Sequence, residues 1–240
     1  MQQPLQWLDT SFEFPDPATA LQRPNGLLAV GGDLQPMRLL AGYQRGIFPW
    51  FSGDQPPLWW TPDPRMVLFP NELKISHSLR KTCRNNTYML SSDRAFVRVM
   101  AACAQPRKDN PATWITSAMQ QAYLKLHEAG YAHSIEVWED KELVGGLYGI
   151  AIGKIFFGES MFSCRSNTSK IALVNTVQTL HANGYELIDC QVANPHLASL
   201  GARTIARSDF MRYLPGSADI SKPAYWPYNS TNTLPARILV

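Results

Sequence analysis

Three runs rich in β-branched and aromatic residues lie close together: Ser134 to Trp138, Glu142 to Ile150 and Lys154 to Phe162. The charged turn Glu139-Asp140-Lys141 and Gly153 separate them, which predicts an antiparallel meander. Ser169 to Asn183 follows with a broad apolar face at helical spacing and ends at Asn183-Gly184, so a helix is expected there. Tyr185 to Val192 reads as one more strand. Side chains alternate along a strand, so Asp189 and Gln191 are expected on one face and Cys190 on the other. The β-β-β-α-β order predicts an α+β sheet, and a fold of that kind names no reaction by itself.

Two acidic residues interrupt these apolar runs, Glu159 in Phe156-Phe157-Gly158-Glu159-Ser160-Met161-Phe162 and Asp189 in Ile188-Asp189-Cys190-Gln191-Val192. A buried carboxylate left bare costs several kcal/mol, comparable to the net stability of a domain, so each needs a partner or a substrate.

Upstream, Asp33 or Gln35 is placed to begin a helix with Pro36 at its first position, carrying Met37, Leu40, Ala41 and Tyr43 and stopping at Gly46. Asp63 to Pro70 reads as an entry strand and Asn71 to Asn86 as a helix. Spacings of three and four put most of Lys74, His77, Arg80, Lys81 and Arg84 on one face of that helix. A strand is expected at Tyr88 to Leu90 and a helix at Ala95 to Ala104. Thr116 or Ser117 caps another helix, with Met119, Ala122, Tyr123 and Leu126 on its apolar side and Gly130 at its end. A last helix is expected around Ser208 to Tyr213, and Pro215 to Val240 as irregular chain on the surface.

Composition divides the chain. Eleven of the 18 Pro and four of the seven Trp fall within the first 70 residues, which predicts a small Pro/Trp-rich N-terminal domain over 1–63 and a larger domain over 64–240. An apolar fraction of 45% suffices for a core, and 22 Lys and Arg against 19 Asp and Glu is too small an excess to announce a nucleic-acid partner. The clustered cations of the 71–86 helix are therefore the place a phosphate backbone would lie, with a solvated face as the alternative. The aromatics at Trp50, Phe51, Trp59 and Trp60 are either a compact core or a stacking platform for a planar ligand. Cys83, Cys103, Cys164 and Cys190 have no paired spacing and the five His no metal-ligand spacing, so no metal or disulfide is expected. The N-terminal stretch shows no basic leader and no run is long enough to span a membrane, so a cytoplasmic location is expected.

At eight places in order, the chain resembles the bacterial leucyl/phenylalanyl-tRNA–protein transferases: Pro24-Asn25-Gly26-Leu27-Leu28-Ala29, Gly31-Gly32-Asp33-Leu34, Tyr43 to Phe51, Trp59 to Arg65, Thr113-Trp114-Ile115-Thr116, His133 to Trp138, Gly158 to Ser163 and Asp189-Cys190-Gln191-Val192. The resemblance implies a small N-terminal domain packed on a GNAT acyltransferase-like domain with a mostly antiparallel sheet. It implies no cofactor and no metal beyond the substrates, which are leucyl-tRNA and phenylalanyl-tRNA, with acceptor proteins that begin with Arg or Lys. Trp50 and Trp114 match the aromatics that hold the terminal adenosine. Leu147, Phe156, Gly158 and Ile188 match the apolar amino-acid pocket, with Leu147 standing where some relatives carry Met. Asn194 is taken with these as a substrate contact. Glu159 matches an acidic residue near the acceptor amine, and Asp189 with Gln191 the catalytic pair.

The chemistry itself is modest: an α-amine attacks an activated ester, and with an ordinary pKa near ~7.7 to 8.0 part of that amine is neutral at pH 7. The expected tasks are alignment, oxyanion support and proton removal. A neutral amide is a very weak base, so Gln191 is expected to orient the amine, and Asp189 to orient Gln191 or attract the ammonium. Glu159 and Asp189 would supply the negative charge that selects Arg or Lys. Two alternatives share parts of the pattern. A CoA-dependent acyltransferase would need a glycine-rich turn where this chain has Ser163-Cys164-Arg165-Ser166-Asn167-Thr168-Ser169. A non-catalytic tRNA-binding module would explain the cations and aromatics and leave the two acids unexplained.

Overall fold

The computed structural model describes residues 5–53, 55–85, 87–106, 113–215, 222–228 and 233–236. The N-terminal part is more regular than its proline content predicts. β1 (Gln6–Leu8), β2 (Leu27–Gly31), β3 (Phe48–Pro49) and β4 (Leu58–Trp60) form a sheet of order β1-β2-β4-β3, with β1 parallel to β2 and the other pairs antiparallel. These strands are too short for periodicity to show. Between β2 and β3 runs α1 (Pro36–Gln44), entered from Gln35 with Pro36 at its first position, as expected. It buries Leu39, Leu40 and Tyr43 against Phe14, Phe48 and Trp59.

β5 (Arg65–Leu68) opens the second sheet. The expected 71–86 helix is broken: Pro70–Glu72 is a single 3-10 turn, the chain then extends, and α2 covers only His77–Asn85. Ser76 explains the late start, since its hydroxyl accepts from the Leu79 amide (3.2 Å). Lys74 is therefore not on the helix; its backbone amide instead bonds to the Leu200 carbonyl. β6 (Met89–Ser92), α3 (Phe96–Cys103) and α4 (Ser117–Glu128) follow, and Thr116 caps α4 through its side chain. The polar loop 107–112 and Asn86 lie outside the described residues.

The meander is β7 (Ala132–Glu139), β8 (Glu142–Ile152) and β9 (Ile155–Ser163), then α5 (Thr168–Ala182) and β10 (Leu187–Gln191). Asp140 and Lys141 both take positive φ (46° and 71°), the geometry a two-residue turn needs to match strand twist. α6 (Pro195–Ala198), β11 (Arg203–Ile205), α7 (Arg207–Met211) and β12 (Leu234–Pro235) complete the chain. The sheet order is β11-β5-β10-β9-β8-β7-β6-β12, antiparallel except for β9 and β10. The α+β class and mostly antiparallel sheet are as expected.

One face of this sheet packs on α3, α4 and the N-terminal elements in a single apolar cluster; the other packs on α2 and α5. Residues 222–228 do more than skirt the surface. Trp226 lies stacked on His133 (4.1 Å between centroids) and Phe156 (5.6 Å), and its indole donates to Ser92 Oγ (2.9 Å). Residues 216–221, 229–232 and 237–240 are outside the description.

Candidate active site

The site lies where β9 and β10 part. Their pairing covers only Ile155–Phe157 with Leu187–Asp189, although β9 runs on to Ser163. From Gly158 to Met161 the otherwise buried strand becomes half-buried, which marks an opening along its β10 side. Gly158 faces that opening: a Cβ there would stand 3.6 Å from the Asp189 carbonyl oxygen.

A bulge sets what points into it. Tyr148 pairs with Ser160 and Gly149 with Gly158, so Glu159 is an extra residue with no partner on β8. Gly149 permits this, because a Cβ would fall 2.2 Å from the Phe157 carbonyl oxygen. The Glu159 carboxyl meets Tyr43 of α1 at Oε1 (2.7 Å) and Tyr123 of α4 at Oε2 (2.8 Å), and the two phenol oxygens are 2.5 Å apart. Burial pushes the Glu159 carboxyl up to about 7 against these two donors, with Asp189 raising it further and Arg65 lowering it. The same burial, reinforced by Glu159, raises both phenols well above their ordinary range.

Asp189 is occupied differently. Arg65 Nε and Nη2 donate to its two carboxylate oxygens (2.8 and 2.6 Å), and neither side chain has any exposure. The guanidinium also donates to the Gly46 carbonyl (3.1 Å) and lies between the rings of Phe48 and Phe210 (4.8 and 4.7 Å). Nothing local in the sequence pairs Arg65 with Asp189; an Arg at the head of one apolar strand and an acid inside another is the only signal the residues carry. The two carboxyls are thus satisfied by phenols and by a guanidinium, not by each other. Simple alternation also fails beyond Asp189. β10 skips Cys190 in its ladder with β5, Gln191 takes φ 55°, and its amide N–H donates to Asp189 Oδ1 (3.0 Å). The half-buried Gln191 side chain makes no hydrogen bond among the described residues, so Asp189 fixes the Gln191 backbone and leaves its amide group unheld.

Leu147, Phe156 and Ile188 share the layer facing α5, across the sheet from Tyr148, Phe157 and the Tyr43 ring; Ile188 pairs with Phe156, whereas Leu147 pairs with Met161 further along β9. Trp50 is 44% exposed and tilted on Trp60 (5.8 Å); Trp114 is half-buried. Their loops adjoin, since a Cβ on Gly53 would reach Thr116 Cγ2 at 4.0 Å. Asn194 is exposed and its side chain caps α6, accepting from His196 and Leu197 amides (2.8 and 3.4 Å). On α2, His77, Lys81 and Arg84 are exposed and Arg80 half-buried, while Leu79 and Cys83 face the core. At the turn before α5, the Ser169 amide is taken by Ser163 Oγ (2.9 Å) and the Thr168 hydroxyl by the Val144 carbonyl (2.8 Å). Among the described residues no group of three His, Cys, Asp or Glu could hold a metal, and no helix is long and apolar enough to cross a membrane.

Comparison with known proteins names the chemistry. The profile of the leucyl/phenylalanyl-tRNA protein transferase family matches residues 67–215, and that of the family's N-terminal domain matches residues 32–63. A leucyl/phenylalanyl-tRNA–protein transferase of Nitrosospira multiformis is 59% identical over 208 residues, 87% of this chain and 90% of that protein. Its counterpart from Hahella chejuensis is 57% identical over 221 residues, 91% and 94% of the two chains. Solved structures are similar only loosely. L-PGS from Bacillus licheniformis gives a TM-score of 0.39 at 10% identity over 65% of this chain and 50% of that one. A GCN5-related N-acetyltransferase from Kribbella flavida gives 0.38 at 12% identity over 70% and 60%. The sequence matches define an enzyme that transfers an aminoacyl group. The chain belongs to the leucyl/phenylalanyl-tRNA–protein transferase family, whose substrates are aminoacyl-tRNA and protein.

Proposed function

We propose that the protein transfers Leu or Phe, and Met less well, from aminoacyl-tRNA to the α-amine of cytoplasmic proteins that begin with Arg or Lys, marking them for N-degron proteolysis. The observation that carries this reading is the parting of β9 and β10, with acidic groups on one face and an apolar layer on the other. An ester carbonyl seated there would send its side chain toward Leu147, Phe156 and Ile188 past Gly158, and receive the amine from the Glu159 side. Apolar pockets separate side chains of similar size by only ~1 to 3 kcal/mol, which allows Met. Trp50 and Trp114 would stack on the terminal adenosine, which the approach of their loops supports, and the exposed cations of α2 with Lys74 would meet the acceptor stem. Asn194, exposed beside the end of β10, is assigned a substrate contact there. Gln191 orients the amine.

Asp189 and Arg65 cancel in charge, so an ionised Glu159 leaves the site with one net negative charge. That favours an acceptor terminus carrying two cations over one carrying a single α-ammonium. In this reading the division at residue 63 separates a domain that holds the adenosine from one that holds the aminoacyl group. The test is transfer of labelled Phe from charged tRNA to matched peptides beginning with Arg and with Ala. Transfer to the Arg peptide alone is expected; equal transfer to both removes the acceptor assignment. Binding of charged tRNA with no transfer to either peptide removes the enzymatic one.

A further inference from the structure

Resting on that reading, we propose that Glu159, closed into a ring with Tyr43 and Tyr123, is the base that takes the proton from the acceptor's α-ammonium. The ring can be counted. Three oxygen–oxygen contacts of 2.7, 2.5 and 2.8 Å join the carboxyl and two phenols. The phenols supply two protons, so all three contacts become hydrogen bonds only when the carboxyl supplies the third. With Glu159 ionised, both phenols donate to it and the phenol–phenol contact is left without a proton. The structure is thus arranged to accept one proton at Glu159 and close around it.

The other groups at the site are unsuited to the task. Asp189 is held at both oxygens by Arg65 without exposure to substrate, and Gln191 is an amide. The charged and titratable groups facing Glu159 are Tyr43, Tyr123, Arg65 and Asp189, with Tyr148 of β8 beside Tyr123 (5.6 Å between rings). Together with burial they hold the Glu159 carboxyl at about 7, where a base that works near neutrality is most effective. The step balances. Glu159 takes one proton from the α-ammonium, the neutral amine forms its N–C bond to the ester carbon, and the C–O bond to the ribose breaks. A second amine proton goes to the departing ribose oxygen, and Glu159 returns its proton to water.

The experiment compares kcat/KM for an Arg-initiated peptide between pH 6.5 and 9 in the wild type, Glu159→Gln, Tyr43→Phe and Tyr123→Phe. Gln can fill the ring, its NH2 donating where the carboxyl proton did, so that variant keeps the fold. Below the pKa of the acceptor amine the base is needed, and above it the amine arrives neutral from water. The Glu159→Gln deficit is therefore expected to be about a hundredfold at pH 6.5 and to shrink to less than about tenfold at pH 9. A group that acts only by attracting the acceptor's guanidinium, whose charge does not change over this range, gives the same deficit at every pH, and that result, or no deficit at all, overturns the proposal. Each Tyr→Phe change removes a donor that lowers the Glu159 pKa, so the acidic limb of the profile is expected to move to higher pH. An unmoved limb in both also overturns it. Absence of transfer by the wild type would instead sink the functional reading on which the proposal rests.

Discussion

Arg65→Met should cost this protein a large share of its stability, because the guanidinium it removes is the cation paired with the buried Asp189 carboxylate, which would keep only the Gln191 amide as a donor. Both side chains have no exposure, and the two are joined by a fork of 2.8 and 2.6 Å. Breaking such a pair at one end leaves a bare buried ion and costs ~3 to 5 kcal/mol. Arg65→Met also strips the Gly46 carbonyl of its donor and two aromatic faces of a cation, so it should cost more than Asp189→Asn, whose amide oxygen can still accept from Arg65 and from the Gln191 amide. For a chain of this length, each kcal/mol lowers the melting temperature by about 2 to 4 °C, so a loss of roughly 6 to 20 °C is expected. The neutral pair Arg65→Met with Asp189→Leu should recover most of it, since two matched apolar groups leave no ion unpaired. Urea unfolding of the wild type, Arg65→Met, Asp189→Leu and the double variant, read as a double-mutant cycle, measures this directly. A loss below about 1 kcal/mol for Arg65→Met, or a double variant as unstable as the sum of the singles, would refute the reasoning.

Trp50→Ala should weaken productive binding of aminoacyl-tRNA by ~1 to 3 kcal/mol if the exposed indole stacks on a base, read as a higher KM for charged tRNA at unchanged melting temperature. Lys81→Ala with Arg84→Ala should lower tRNA affinity and flatten its salt dependence by roughly 0.7 to 0.9 for each phosphate no longer neutralised; an unchanged slope would mean that this face of α2 meets only water. Trp226→Ala empties the space between His133 and Phe156 and should cost ~3 to 5 kcal/mol in urea unfolding, a penalty too large for a segment merely resting on the surface.

Residue pattern alone determined the meander, α5, β10 and, to within a residue or two, the starts of α1 and α4, because periodicity, turn residues and helix-start signals act within a few residues of one another. It also singled out Glu159 and Asp189, since an acid inside an apolar run is costly wherever the run ends up. The partners of those acids were beyond it. Tyr43, Tyr123 and Glu159 come from three elements up to 116 residues apart, and Arg65 is 124 residues from Asp189. A local pattern carries no information about which distant strand or helix will arrive. Two local irregularities were hidden for the same reason: the bulge at Glu159 and the skipped residue before Gln191 depend on the register of neighbouring strands. The sequence by itself settled which residues were too expensive to leave alone. Tertiary packing decided that one acid would be neutralised by a guanidinium and the other left, among phenols, able to take up a proton.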